Sequence, residues 1–247
     1  MKSTIIITFL VLRLFSIAQA QDTTHISSID YLYDTDTVKK TIFKSYPTLR
    51  KKITLKESFV PIGWKLIDSI SGNLNGDKLT DLAMVIEHIE VVNEKLGQDL
   101  EWEANPRILL IWFKGEKEDY SLVLQNNYIL PRAGMGKQGG DPFEKLIIKN
   151  STLTLNGVMG ENFIFAFKNK TFYLVAAFAN RMTVKGYFIT YQMDFLKHKA
   201  KVETILGDGE KKRTFIKSVN LPSRRLLNLR TMKEFNIGKI FERVHYW

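Results

Sequence analysis

Apolar residues fall in short runs along most of the chain, and Gly, Pro, Asn and Asp residues separate these runs. This pattern is typical of β-strands joined by tight turns. Residues 107–113 are apolar at nearly every position, which predicts a central strand buried on both faces. The other predicted strands are residues 64–70, 82–88, 121–130, 145–149, 153–155, 163–167, 172–178, 187–196, 202–206 and 214–219.

Helical periodicity is weak and lies near the two ends. Asp36 is a suitable N-cap for a short helix over residues 37–46, which Pro47 would end. Residues 221–241 have spaced apolar positions and are predicted to be partly helical, whereas residues 90–104 are acidic and predicted to form a long loop. The predicted fold class is mainly β: an antiparallel meander or sandwich with a short N-terminal helix.

The first twenty residues have the features of an export signal. Lys2 precedes a mostly apolar run, and Ala18-Gln19-Ala20 fits the small-x-small cleavage pattern. The run is shorter than the roughly 20 apolar residues that span a bilayer. The chain has no cysteine, so a lipoprotein anchor and disulfides are not expected. We expect a periplasmic or secreted protein with four parts: a signal peptide (1–20), a helical or extended segment (21–58), a β-rich domain (59–220) and a basic tail packed on it (221–247).

Positive charge is concentrated in the last fifth of the sequence. The formal net charge is +10, and residues 195–247 hold 13 basic and 5 acidic residues. Such a region could meet an anionic envelope surface or an acidic partner, or could form a solvated strand face and a charged turn. Nucleic acid is a less expected partner for an exported protein. The candidate contact residues are Lys197, Lys199, Lys201, Lys211, Lys212 and Arg213.

One loop carries a pattern that points to chemistry. Between two predicted strands, side-chain oxygens recur at Asn73, Asn75 and Asp77, and Asp81 follows. Ca²⁺ takes six to eight oxygen ligands, and alternating Asp and Asn side chains in a tight loop can supply several. The candidate ligands are these four side chains and the backbone carbonyl of Leu79. The alternative is a metal-free turn, since Asn and Asp also favour turns by bonding to nearby backbone amides.

This loop resembles the Asp-x-Asn-x-Asp-Gly-x-x-Asp calcium loop of FG-GAP and VCBS repeats and of dockerin-like loops. Residues 61–86, 105–111 and 139–143 are more widely similar to exported bacterial proteins of unknown function that carry one such loop. The resemblance implies a small exported β-protein that calcium can stabilise, with no known activity. This chain departs from the pattern at two positions: Asn73 stands where the family has Asp, and Lys78 where it usually has Gly. Calcium binding should therefore be weak.

Two classes of function remain open from the sequence. The first is a non-catalytic, exported binding or interaction module whose degenerate calcium-type loop mainly shapes the fold. The second is an exported hydrolase of glycans that uses carboxylates in the region from Glu87 to Glu103, where Glu101 and Glu103 flank an aromatic residue. The sequence contains no Gly-x-Ser-x-Gly nucleophile motif.

Overall fold

The computed structural model describes residues 46–54, 59–95, 101–135, 139–157, 160–182, 186–207, 212–221 and 225–233. The predicted export signal lies outside these residues, as does the predicted helix apart from its last residue. No helix able to cross a membrane occurs in the part of the chain that is described. The strands within the described residues are β1 (Lys52–Thr54), β2 (Trp64–Gly72), β3 (Asp81–His88), β4 (Val92–Lys95), β5 (Glu101–Ala104), β6 (Arg107–Lys114), β7 (Asp119–Asn126), β8 (Phe143–Lys149), β9 (Thr152–Gly157), β10 (Asn162–Lys168), β11 (Thr171–Met182), β12 (Phe188–Asp194), β13 (Lys199–Leu206) and β14 (Arg213–Asn220).

The strands form three antiparallel sheets, which confirms the predicted mainly β class. One sheet has five strands in the order β1-β7-β6-β3-β2. The second is a meander of seven strands in the order β14-β13-β12-β11-β10-β9-β8, and β4 and β5 form a separate hairpin. The prediction of one long loop over residues 90–104 is wrong, because Val92 pairs with Ala104 and both are buried in this hairpin. Charged residues at neighbouring positions obscured the alternation.

Short turns connect the strands of the meander, and the residue types of two of these turns explain their backbone conformation. Asn150 and Ser151 between β8 and β9 have positive φ, as do Asn169 and Lys170 between β10 and β11. Two central residues with positive φ define the type I′ turn, whose twist matches that of the flanking strands. Asn tolerates this conformation because its short polar side chain bonds locally. The predicted hairpin around residues 168–171 is therefore present.

The two large sheets share one hydrophobic core. Leu109 and Ile111 of β6 lie in the same buried cluster as Phe163 and Phe165 of β10, so one face of each sheet contributes to it. The alternate residues of β6 lie in a second buried cluster, against which Tyr46, Leu49, Phe59 and Val60 pack. The central strand is thus buried on both faces, as its continuous apolar pattern predicts.

The predicted strand over residues 121–130 ends early, at Asn126, because of the Asn126 side chain. Its Oδ1 accepts hydrogen bonds from the backbone N–H groups of Tyr128 and Ile129, which turns the chain out of the sheet. Its Nδ2 donates to the carbonyls of Leu229 and Met232, so the same amide also holds a segment about a hundred residues further on. One buried amide therefore makes four hydrogen bonds.

The segment 225–233 links the two sheets. Leu229 is fully buried in the shared core, and its N–H donates to the Phe172 carbonyl of β11. The N–H of Leu174 donates to the Leu227 carbonyl, so this segment runs beside the first residues of β11. The predicted helical character is absent from these nine residues. Here the apolar positions point into a core between sheets and do not form one face of a helix.

Asn126→Ala should lower the free energy of unfolding by about 2–3 kcal/mol, because two buried N–H groups and two carbonyls lose their partner. Urea denaturation would measure this loss, and Asn220→Ala, at an exposed position of β14, is the control. Protease should also cleave the variant faster near residues 225–233. An equal effect of both substitutions would contradict the linking role of Asn126.

Candidate functional site

The calcium-type loop connects β2 to β3 through three overlapping side-chain turns. The side-chain Oδ1 of Asn73 accepts a hydrogen bond from the N–H of Gly76, and that of Asn75 accepts one from the N–H of Asp77 at 2.9 Å. The Oδ1 of Asp77 accepts from the N–H of Leu79 at 2.8 Å. The alternating side chains predicted from the sequence therefore each have an oxygen bonded to the loop backbone, and these bonds shape the loop.

Asp81 fixes the loop to the sheet. Its side chain is fully buried, with Oδ2 accepting from the N–H of Leu74 at 2.8 Å and Oδ1 from the N–H of Lys114 at 3.1 Å. Leu74 itself is buried in the shared core, so the carboxylate joins the loop to β6 next to that core. Burial raises the pKa of Asp81, and the charge of Asp77 adds to this rise, while the bonds from Leu74 and Lys114 oppose it.

Lys78 occupies a left-handed backbone conformation with φ of 72°. This is the position where the resembled calcium loops have Gly, which adopts that conformation freely. A residue with a Cβ atom is strained there by about 1 kcal/mol. Lys78 therefore lies at a turn position for which glycine is better suited.

The side chains fit a tightly bound cation poorly. The Nδ2 of Asn75 donates to Asp77 Oδ2 at 2.7 Å, so a hydrogen-bond donor contacts the carboxylate oxygen that a metal would need. Lys78 adds a positive charge next to this carboxylate. Among the described residues, no group of three or more His, Cys, Asp or Glu side chains is placed to hold a metal ion. The loop therefore offers a cation two carboxylates, one of them buried and bonded to two backbone amides.

A buried ion-pair network, missed in the sequence, holds the other end of the same sheet. The guanidinium of Arg107 is 1% exposed and bonds to Glu87 Oε2 at 2.6 Å and to both carboxylate oxygens of Asp141. It also donates to the Pro131 carbonyl at 3.0 Å. Burial alone would lower the pKa of Arg107, but its hydrogen bonds and the two carboxylate charges outweigh burial and raise the pKa. The network pins the glycine-rich connection before β8 to the five-stranded sheet.

Glu87 therefore has a structural role. It is buried, its Oε1 lies 3.0 Å from the ammonium of Lys65, and its Oε2 bonds to Arg107. A carboxylate held by two cations is poorly suited to act as a general acid, which has to hold a proton. Glu101 and Glu103 are alternate residues of β5, and the Glu101 side chain lies outside the description. The hydrolase hypothesis thus loses Glu87 as a general acid, while the other carboxylates of residues 87–103, including Glu101 and Glu103, stay candidates.

The predicted basic residues are distributed over a strand, its preceding turn and a neighbouring hairpin. Lys199 and Lys201 are alternate residues of β13, so they share one face of the seven-stranded sheet. Lys197 lies in the turn before β13 and pairs with Asp194 at 3.2 Å, and Lys201 pairs with Glu203 at 3.4 Å. Lys212 and Arg213 are exposed at the start of β14, and Lys211 lies outside the described residues.

The last strand is exposed on both of its faces. Every residue of β14 from Arg213 to Ser218 is exposed, including Phe215 and Ile216, which are 55% and 61% exposed. Successive residues of a strand point to opposite faces, so both faces of β14 are exposed among the residues that the structure describes. Sequence alternation alone could not find this feature, since it does not show where the opposite sheet ends.

Comparisons with protein-family models, with curated proteins and with solved structures find no match for this chain. The likeness to calcium loops therefore rests on the loop residues alone. What the protein does has to be inferred from its own surface and interior.

The raised pKa of Asp81 makes stability depend on pH. The unfolded chain loses this proton near its ordinary value of 3.8, whereas the folded carboxyl keeps it to higher pH. Folding therefore binds a proton in that window, and the free energy of unfolding should fall as pH rises from 3.8 through the folded value.

Asp81→Asn should remove this part of the pH dependence and lower stability, because the amide cannot accept both backbone N–H groups. Urea denaturation across that pH range would measure the slope, with the exposed Glu118→Gln as the control. If Asp81→Asn and the wild-type protein show the same slope, the pKa of Asp81 is not raised.

Proposed function

We propose that the protein is an exported, non-catalytic β-rich binding module that attaches to an anionic surface. The attaching region is the β13–β14 hairpin with the turn before β13. The observation that carries the proposal is the exposure of β14, in which Arg213 and Lys217 are both exposed. The excess of 13 basic over 5 acidic residues in residues 195–247 makes this region attractive to anions.

Export is part of the same proposal. It is supported by Lys2, the apolar run after it and the Ala18-Gln19-Ala20 cleavage pattern. Anionic polymers and lipids are the surfaces that such a protein would meet first. Ion pairs with Lys65 and Arg107 hold the buried Glu87, which supports a structural role for this carboxylate better than a hydrolytic one.

Binding to vesicles that contain phosphatidylglycerol tests the proposal. The protein should cosediment with them at low salt, and not with vesicles of phosphatidylcholine alone. At 0.5 M salt the Debye length falls to about 4 Å, so purely electrostatic attachment should be greatly weakened. Absence of binding to these vesicles and to a soluble polyanion such as heparin would refute the proposal.

Charge substitutions locate the attaching region. Each of Lys212→Gln, Arg213→Gln and Lys217→Gln should weaken binding about fivefold, since a basic residue near an anionic surface contributes about 1 kcal/mol. Lys149→Gln and Lys168→Gln are the controls, because they remove exposed positive charges from the same sheet at β8 and β10. Equal losses from both groups would show that net charge alone governs attachment.

We further propose that the calcium-type loop works as a metal-independent turn, with calcium binding too weak to matter for the fold. The support is the hydrogen bond from Asn75 to Asp77 and the engagement of each loop oxygen by the backbone. Its role would be to set the register between β2 and β3, which pair from Gly72 and Asp81 onward.

Thermal melting with calcium steps up to a few millimolar, against chelator, should leave the midpoint unchanged, because a ligand stabilises only the state that binds it. Magnesium at equal concentration is the control for ionic strength. An upward shift with calcium that Asp77→Asn abolishes would overturn the turn model and establish Asn73, Asn75, Asp77, Leu79 and Asp81 as a calcium site.

A further inference from the structure

Exposed apolar side chains gather at one end of the seven-stranded sheet. We call this group the distal patch; its members are Met182, Tyr187, Phe188, Phe215 and Ile216. Met182 is 70% exposed, Ile216 61% and Phe215 55%, and the two remaining aromatic residues are 37% exposed. Large apolar side chains left this open in one place mark a surface that contacts something else.

Strand register places the patch residues on adjacent rungs. Met182 pairs with Phe188, and Phe188 pairs in turn with Ile205, which pairs with Thr214. Phe215 and Ile216 follow directly on β14 and point to opposite faces of the sheet. The patch therefore wraps around the end of the sheet, with apolar groups on both sides.

Positive charges border the patch. Arg181 precedes Met182, Lys212 and Arg213 precede Phe215, and Lys217 follows Ile216. Two acids of the described residues in this part of the sheet interact with cations: Glu203 lies 3.4 Å from Lys201, and Glu161 is partly buried and interacts with the charge of Arg181. The surroundings of the patch thus favour an anionic contact and oppose a second, equally cationic copy.

We infer that the distal patch inserts into the headgroup layer of a bilayer containing anionic lipid. The inference rests on the proposed function and names the surface as a lipid membrane. Cations that bind phosphate groups beside aromatic and aliphatic side chains that enter the acyl boundary are the two components of interfacial membrane binding.

The two-sided exposure favours lipid over other anionic partners. A folded partner normally packs against one face of a sheet and would leave either Phe215 or Ile216 in water. A headgroup layer surrounds the end of a sheet and takes up apolar groups on both faces at once. A soluble polyanion offers the charges but no apolar medium for these side chains.

The decisive variant removes apolar area and keeps every charge. Phe215→Ser with Ile216→Ser should weaken binding to phosphatidylglycerol vesicles about tenfold or more, since burial of one such side chain is worth at least that factor. Ile62→Ser with Ile89→Ser is the matched control, because both residues are exposed and belong to the β2–β3 end of the other sheet. Both double variants should keep the wild-type melting midpoint, as the replaced side chains make few contacts.

A second measurement reports insertion directly. Phe215→Trp should show a blue shift of its fluorescence with anionic vesicles and quenching by brominated lipid. The four native tryptophans are corrected for with wild-type protein. Part of the vesicle binding should also survive 0.5 M salt, because apolar insertion is not screened.

The outcomes separate the two proposals. If the apolar double variant binds vesicles as tightly as the wild-type protein, and Trp fluorescence at position 215 shows neither shift nor quenching, the inference is overturned. Electrostatic attachment then remains as the proposed function. Binding to heparin as tight as to vesicles and equally insensitive to the variant identifies a polyanion as the partner. If the free protein forms dimers and the apolar double variant dissociates them, the patch serves self-association and the inference is refuted. No binding to any anion refutes the proposed function as well.

Discussion

The ion-pair network around Arg107 is the interaction on which the rest of the arrangement depends. A guanidinium that is 1% exposed loses its hydration, and that loss is large unless charges and hydrogen bonds replace the water. Here Glu87 comes from β3 and Asp141 from the connection before β8, so the replacement partners belong to different parts of the chain. The charge can be buried only when the five-stranded sheet and the start of the meander are already correctly placed. The network therefore selects one arrangement of the two sheets, whatever its net contribution to stability.

Much of the fold could be predicted from the sequence because strand burial leaves a direct trace in residue type. Continuous apolar residues in β6 and alternation in β9 to β11 indicated strands, and Asn residues marked two turns. The β4–β5 hairpin was missed because charged residues lie next to its apolar positions and obscure the alternation. The segment around Leu229 was predicted to be partly helical, but its apolar residues pack into the core between two sheets. Neither strand nor helix periodicity describes that environment.

The candidate sites differ in how visible they are in sequence. The loop from Asn73 to Asp81 is local, so its residue types and spacing could be recognised at once. The hydrogen bonds within the loop could not be predicted. Backbone geometry decides whether the oxygen or the nitrogen of the Asn75 side-chain amide faces Asp77. The partners of Arg107 are separated from it by 20 and 34 positions, and nothing in their spacing connects them. The distal patch is less visible still, because it exists where the opposing sheet stops.

The topology of the two sheets has a consequence for how the chain reaches this structure. Every strand of the meander pairs with its neighbour in sequence, so each pairing closes a short loop at small entropic cost. The five-stranded sheet instead joins Lys52 to Ser121 through β1 and β7, a contact of much higher sequence separation. Relative contact order correlates inversely with the folding rates of small two-state proteins. The local pairings of the meander should therefore cost less loop-closure entropy than the pairing of β1 with β7, which has to wait until the chain between these strands is in place.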